Sequence, residues 1–264
     1  MVPSIQKCGD AMKILAMVRV ALALAAITGG AAGAADLKVL SAGAAKEAVL
    51  PLTQAFARAS GHNVDIDFGT MGLIQEKLKQ GEKADVLILS AEVADALAKS
   101  GVIVASSRKA LARVGVGVAV GINARAPDIS TAAAFRQTLL DAKSIVMIDP
   151  ARGTSGKHLV EVYQRLGITD ALKPKMRYGA GGYIVEPVGR GEVELGLHQI
   201  SEILPVKGVK LVGPLPPELQ KWTEYVGAVT PGSGSVAAAR ELVDYLSSFQ
   251  SKATYLSKGF VLAE

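Results

Sequence analysis

The feature that most constrains this chain is the repeated pairing of a short apolar strand with a small-residue turn that opens a helix. Leu37-Lys38-Val39-Leu40 is mostly apolar with a β-branched centre; Ser41-Ala42-Gly43-Ala44-Ala45 follows, and Ala45 to Ala59 then sets Val49, Leu52, Phe56 and Ala59 at three- and four-residue spacing. The pattern reads as strand, tight turn, helix. Val64-Asp65-Ile66-Asp67-Phe68 alternates like a second strand, and Gly69-Thr70-Met71-Gly72 opens a helical stretch from Leu73 to Gln80. Ala84-Asp85-Val86-Leu87-Ile88-Leu89 is almost continuously apolar, as strands buried on both faces of a parallel sheet are. It runs into Ser90-Ala91-Glu92, an N-cap signal, and a helix ended by Gly101. Three such units predict an open, doubly wound α/β sheet with its binding crevice at the carboxyl ends of the strands. The first N–H groups of a helix lack internal partners and carry the positive end of the peptide dipoles, so turns in that place suit an anion. Most such turns are small for steric reasons alone and bind nothing, so a ligand site needs support from the rest of the chain.

The second half repeats the pattern. Ala110 to Ile122, with Gly115, Gly117 and Gly121 among valines, predicts one long strand needing flexibility or close backbone approach, able to pass from one lobe to another. A Pro/Asp turn follows, and Ser130 is placed to cap a helix carrying Phe135 and Leu139. Ser144 to Ile148 is a strand ending in Asp149-Pro150-Ala151-Arg152-Gly153-Thr154-Ser155-Gly156, with Lys157 to Leu166 helical behind it. Tyr178-Gly179-Ala180-Gly181-Gly182-Tyr183 precedes a helical stretch from Ile184 to Arg190, and Glu194 to His198 and Val209 to Val212 are further strands. Trp222 to Thr230 is a strand that returns the chain to the first lobe, and two helices, Val236 to Phe249 and Lys252 to Lys258, close it. The expected organisation is one lobe from 36–118 with 225–264, a second from 119–224, and hinges near 115–121 and 224–230.

Residues 1–35 have the layout of a secretory signal: basic Lys7, Lys13 and Arg19, an apolar core from Val20 to Ile27, and small residues before a cut near Ala35. Met12 and Met17 are alternative starts, and the core is short for a membrane span. The single cysteine, Cys8, lies in the segment to be removed, so the mature chain is expected to hold no disulfide and no cysteine chemistry. Of 29 Lys and Arg and 24 Asp and Glu, removal takes three and one, leaving 26 against 23. That mild positive balance, without a basic run, gives no reason to expect nucleic acid.

From Asp36 to Phe260 the sequence resembles the periplasmic molybdate-binding protein family of ABC importers. The resemblance is carried by Val39 to Ala44, by Phe56 with Ala59-Ser60-Gly61, by Phe68 to Gly72, by Gln80-Gly81-Glu82-Lys83-Ala84-Asp85-Val86 and by Gly191 to Gly196. It implies a type II two-lobed binding fold in which hydroxyls and backbone N–H groups at the turns hold a tetrahedral oxyanion. Matched residue by residue, the family's first-turn serine falls on Ala44, its second-turn serine on Met71 and its tyrosine on Leu204, while the backbone donors fall on Gly153 and Gly182. Two or three lost hydrogen bonds to a charged ligand, at about 1.5–3 kcal/mol each, weaken an oxyanion site severely unless Thr70, Thr154 or Ser155 substitutes. Gln199 to Val206 and Leu211 to Gln220 also resemble a branch of the superfamily that includes a periplasmic aconitate isomerase, which brings in an organic carboxylate as the alternative ligand and isomerisation as the alternative function.

The expected ligand contacts are Gly43, Ala44, Thr70, Met71, Arg152, Gly153, Thr154, Ser155, Gly182, Tyr183 and His198. Arg152 suits bidentate contact with a carboxylate, or equally a surface pair with Asp149. Tyr183 either closes the cleft or packs. His198 is a candidate base, although a lone His in a strand is more often structural. Lys46 reads first as part of a solvated helix face. His62, His158 and His198 show no metal-ligand spacing, Gly179 to Gly182 lacks the full dinucleotide fingerprint, and Gly232-Ser233-Gly234-Ser235 fits an N-cap better than a nucleophile elbow. The expectation is an exported, non-enzymatic, monomeric binding protein without metal or cofactor, which hands a small anion to an inner-membrane ABC permease from the periplasm.

Overall fold

In strand β1, Asp36–Ala42, the polar start is exposed, every residue from Val39 onward is buried, and Ser41 is as deeply enclosed as its apolar neighbours. The computed structural model describes residues 33–263, so the export signal, Cys8 and the alternative start positions lie outside the described residues except for the small-residue end of the signal. A single 3-10 turn over Gly43–Ala45 leads from β1 into α1, Lys46–Ser60, which buries Val49, Leu52 and Phe56 and stops at Gly61 in the left-handed conformation. β2 is Asn63–Gly69 and α2 is Met71–Lys79, capped by Thr70, whose Oγ1 accepts from the Leu73 amide at 3.2 Å. β3, Val86–Ser90, is buried at all five positions, as its unbroken apolar run predicts, and α3 is Ala91–Lys99.

β4, Lys109–Gly121, is the long strand expected from the valine and glycine alternation. It pairs with β9, Trp222–Val229, from Lys109 to Gly115, and from Val116 with β7, Leu195–Gln199, changing partners at the glycines. A Cβ on Gly115 would lie 2.5 Å from Gln220 Nε2, and one on Gly117 2.7 Å from a Leu211 methyl, so close packing rather than backbone freedom demands glycine there. Gln220 clamps the changeover by donating to the Val116 carbonyl at 2.8 Å and accepting from its amide at 3.2 Å.

The remaining elements complete a nine-stranded sheet of order β2-β1-β3-β9-β4-β7-β5-β6, with β8, Val209–Pro214, on the other side of β4. β5 is Ile145–Ile148 and β6 is Met176–Gly179; both run parallel to β7, as β2 and β3 run parallel to β1. The helices between and after them are α4, Ala132–Asp141; α5, Thr154–Arg165; α6, Thr169–Leu172; α7, Glu186–Gly189; α8, Ile200–Ile203; α9, Val236–Ser247; and α10, Phe249–Ser257. One apolar core surrounds β1, β3 and β9, and separate cores flank β5 and β7.

Several local expectations are corrected. Thr131, not Ser130, caps α4 through its bond from the Ala134 amide, because Asp128 accepts from the Ser130 amide instead. Ser90 sits at the start of α3 but makes no cap bond. The helix expected from Ile184 to Arg190 shrinks to the single turn α7, and α5 begins three residues before Lys157.

Candidate functional site

The parallel strands of the two sheet halves end facing each other, and their following turns meet. The Gly72 amide at the start of α2 donates to the Arg152 carbonyl at 3.1 Å, and Ser201 Oγ on α8 donates to the Ala44 carbonyl at 2.7 Å. Tyr183 hydrogen-bonds Glu47 through its hydroxyl, and Lys46 Nζ stands 5.5 Å from the centre of the Tyr183 ring. Between them lies a cavity of about 380 Å³. Gly43 and Ala44 line it from the turn after β1, Thr70 and Met71 from the start of α2, Gly153, Thr154 and Ser155 from the start of α5, and Gly182, Tyr183 and His198 from the turn after β6 and the end of β7. Every expected ligand contact is therefore on this cavity except Arg152.

Arg152 stands apart. Its guanidinium stands 4.0 Å from Asp149, more than half exposed, and faces a neighbouring pocket of about 400 Å³ on the far side of Met71. The residue touches the other half of the molecule through its carbonyl, which takes the Gly72 amide, so the side chain is carried away from the cleft. Leu204, where the resemblance put a tyrosine, is half exposed and is not on the cavity. Phenols reach it from other places: Tyr183, and the buried Tyr225 on β9.

Gly182 has φ +70°, a conformation that a side chain disfavours, and a Cβ on Gly181 would fall 2.9 Å from a Thr70 methyl. The glycine turn thus lets β6 approach α2 closely while the Gly182 carbonyl accepts from His198 Nε2 at 3.0 Å. The same nitrogen is 3.1 Å from Glu202 Oε2, and both residues are buried. A carbonyl and a carboxylate are both acceptors, so Nε2 carries the proton, shared between them. Among the described residues, Nδ1 of His198 and Oε1 of Gln199 are buried without a hydrogen-bond partner.

Glu202 is the residue that sequence reasoning missed. It sits on α8, a single turn too short to produce a helical period, and its carboxylate reaches under the Gly43 turn, where Oε1 would be 3.5 Å from a Cβ on that glycine. The Tyr225 phenol is pushed above its ordinary range by burial first and by the Glu202 charge second, against a side-chain hydrogen bond to Thr154. The Tyr183 phenol is pushed up to about 12 by burial, then by its bond to Glu47, with Glu202 contributing less. Lys46, read from the sequence as a solvated face, supplies the cavity's ammonium. The cleft therefore combines hydroxyl and helix-start donors, one cation and one buried carboxylate. Among the described residues no group of His, Cys, Asp and Glu is arranged to hold a metal ion, and no helix is long and apolar enough to cross a membrane.

Two doubly wound halves joined through β4 and β9, with facing strand ends around a cleft, define a type II periplasmic binding protein fold. The chain belongs to the bacterial extracellular solute-binding protein family, whose model matches residues 37–261. Over 217 residues it is 34% identical to the aconitate isomerase of a Pseudomonas species, covering 80% of this chain and 82% of that protein. It is 25% identical to the molybdate-binding protein ModA of Escherichia coli over 247 residues, 92% of this chain and 95% of the relative. Among solved structures, the periplasmic molybdate-binding protein of Azotobacter vinelandii superposes with a TM-score of 0.73 at 18% identity, over 86% of this chain and all of that one.

Proposed function

We propose that this protein is an exported binding protein that captures a small organic carboxylate in the cleft and delivers it to an ABC permease in the inner membrane. The observation that carries the reading is the convergence of four turn regions, with Thr70, Thr154, Ser155 and the Lys46 ammonium, on one cavity of about 380 Å³. Helix starts favour negative charge, and the volume falls at the small end of the roughly 300–1,000 Å³ usual for small-molecule sites. Ala44 and Met71 supply no hydroxyl where the related oxyanion binders are expected to use serine, and the cavity holds more than a five-atom oxyanion fills. An organic carboxylate therefore suits the cleft better than molybdate.

In this reading residues 36–118 and 225–264 form one lobe and 119–224 the other. The change of partner at Gly115 and Val116 in β4 supports a hinge there, and ligand held between the strand ends would favour the closed form. The protein acts as a periplasmic monomer after cleavage near Ala35. Thermal unfolding of the mature protein with molybdate, tungstate and sulfate against citrate, cis-aconitate and trans-aconitate tests the ligand class. A bound ligand at about 100 times its Kd adds roughly 2.7 kcal/mol. Stabilisation by a carboxylate and not by the oxyanions is expected; the opposite result overturns the assignment.

One observation favours a second reading, isomerisation of an unsaturated carboxylate: the buried Glu202 carboxylate held by His198 on the cavity. Such a pair could take a proton from the carbon next to a carboxyl group and return it at the other end of the allylic system. Turnover of one aconitate isomer into the other, followed by absorbance and abolished in Glu202→Gln, would establish the enzyme; binding without turnover leaves the carrier.

A further inference from the structure

Glu202 is out of place in a cleft that receives only negative charge. Its side chain is 8% exposed, its Oε2 is engaged by His198, and its Oε1 borders the cavity beneath the Gly43 turn, 3.5 Å from where a Cβ on that glycine would stand. An ionised carboxylate offers acceptors and no donor. A ligand that brought only carboxylate oxygens to this position would meet like charge in a poorly solvated place, which opposes its binding there. The neighbouring Gln199, also on the cavity, leaves its own carbonyl oxygen without a partner among the described residues.

On the reading of the cleft as a carboxylate site, we infer that its ligand carries a hydrogen-bond donor, hydroxyl or ammonium, on a carbon close to the bound carboxyl group, and that Glu202 is the residue that selects it. The carboxylate end lies against the turns at Gly43, Thr70 and Thr154, with Lys46 at the mouth. The donor end points to Glu202 Oε1. His198 acts as a positioning residue: its Nε2 proton fixes Oε2 and so turns the other oxygen toward the ligand. A site built to bond a substrate hydroxyl discriminates strongly against the analogue without it, because the buried acceptor is then left unpaired.

The test is titration calorimetry of the mature protein with matched ligands: malate, aspartate and succinate, which share a four-carbon diacid skeleton, and citrate against propane-1,2,3-tricarboxylate. The donor-bearing member of a set should bind on the order of 10- to 100-fold more tightly than its plain analogue. Malate over aspartate identifies a hydroxyl and aspartate over malate an ammonium. Glu202→Gln, which keeps the side chain's shape, should shrink that ratio to within about threefold, chiefly by weakening the donor-bearing ligand. Equal binding of plain and donor-bearing acids by the wild-type protein overturns the inference while leaving the carboxylate reading intact. Failure of every acid to bind removes that reading and this one together. The wild-type comparison decides the matter even if the variant does not fold.

Discussion

Two cavities of nearly equal volume, about 380 and 400 Å³, lie on either side of Met71, and they treat charge in opposite ways. The central cleft has a single ammonium, Lys46, and its polar side chains at the base, His198, Gln199 and Glu202, are buried. The lateral pocket is richer in cations, with Arg152, Lys157 and Lys221 on its walls. Those cations face carboxylates instead of an empty space: Lys157 and Lys221 stand 4.0 and 3.8 Å from Glu92, and Arg152 stands 4.0 Å from Asp149. Except for Asp149, which is partly covered, these groups are mostly exposed, where water and salt screen them. On the proposed reading of the cleft, a count of positive residues would misplace the anion site. Burial, oriented backbone and a Gln199 carbonyl oxygen unpaired among the described residues distinguish the central cleft, and Met71, Gly153 and Thr154 line both cavities, the Met71 thioether accepting from the Ser90 amide at 3.4 Å.

The sharpest way to break the contrast is to remove one partner of the buried polar pair in the cleft and, on the lateral side, one member of an exposed ion pair. In the cleft, His198→Ala leaves Glu202 buried without its partner, and losing one side of a buried pair costs about 3–5 kcal/mol. Urea unfolding of the ligand-free protein measures it. A cost below about 1 kcal/mol would mean that Glu202 finds solvent or another donor readily, and the difference in burial between the cavities would lose its energetic meaning.

How much of this was legible in sequence follows from the range of the interactions. Leu37 to Leu40, Val86 to Leu89 and the valines of 114–120 declared their strands because their burial is uniform or strictly alternating, which composition alone records. The small residues at 43–45, 70–72, 153–156 and 181–182 marked the turns for the same reason. Glu202 could not be found that way: α8 contributes one turn, and nothing local says that its side chain passes under a glycine more than a hundred residues earlier. The placement of the Arg152 side chain off the cleft was hidden for the same reason. Its neighbour Gly153 does face the cleft, but adjacent residues in a tight turn point apart, and only the bond from Gly72 to the Arg152 carbonyl decides which way. β6 was missed because Met176 and Arg177 interrupt any apolar run; the strand exists through its parallel pairing with β5.

The two cavities should also fail at opposite ends of the pH scale. His158, on the lateral pocket, donates through Nε2 to the Leu219 carbonyl at 2.8 Å, and burial holds it below its ordinary value of 6.5 against the pull of Glu161. A lowered imidazole contributes stability that is present above the unfolded value and lost as pH falls through the folded one, so the acid side of the stability curve steepens below about pH 6.5. Tyr183, on the central cleft, is raised, and its contribution is complete below the unfolded value of 10.0 and lost as pH climbs through about 12. Unfolding midpoints across this range, with His158→Gln and Tyr183→Phe, should flatten the acid and the alkaline limb respectively; a variant that flattens the other limb, or neither, contradicts the assignment.

The smallest expected effect is the most informative about location. Lys157→Ala and Lys221→Ala each remove a mostly exposed ammonium that stands about one side chain's reach from a mostly exposed Glu92, so each should change stability by no more than about 0.5 kcal/mol. What change there is should fade further as ionic strength rises, because such charges are screened within about 8–10 Å. If the carboxylate is gripped in the central cleft, neither substitution removes the ligand-induced rise in unfolding temperature, since both ammonium groups line the lateral pocket and not the cleft. Loss of that rise in Lys221→Ala, with folding otherwise unaltered, would transfer the anion to the lateral pocket. The cation-rich wall would then be the binding surface after all, and the buried acceptors of the cleft would have to be explained as structure.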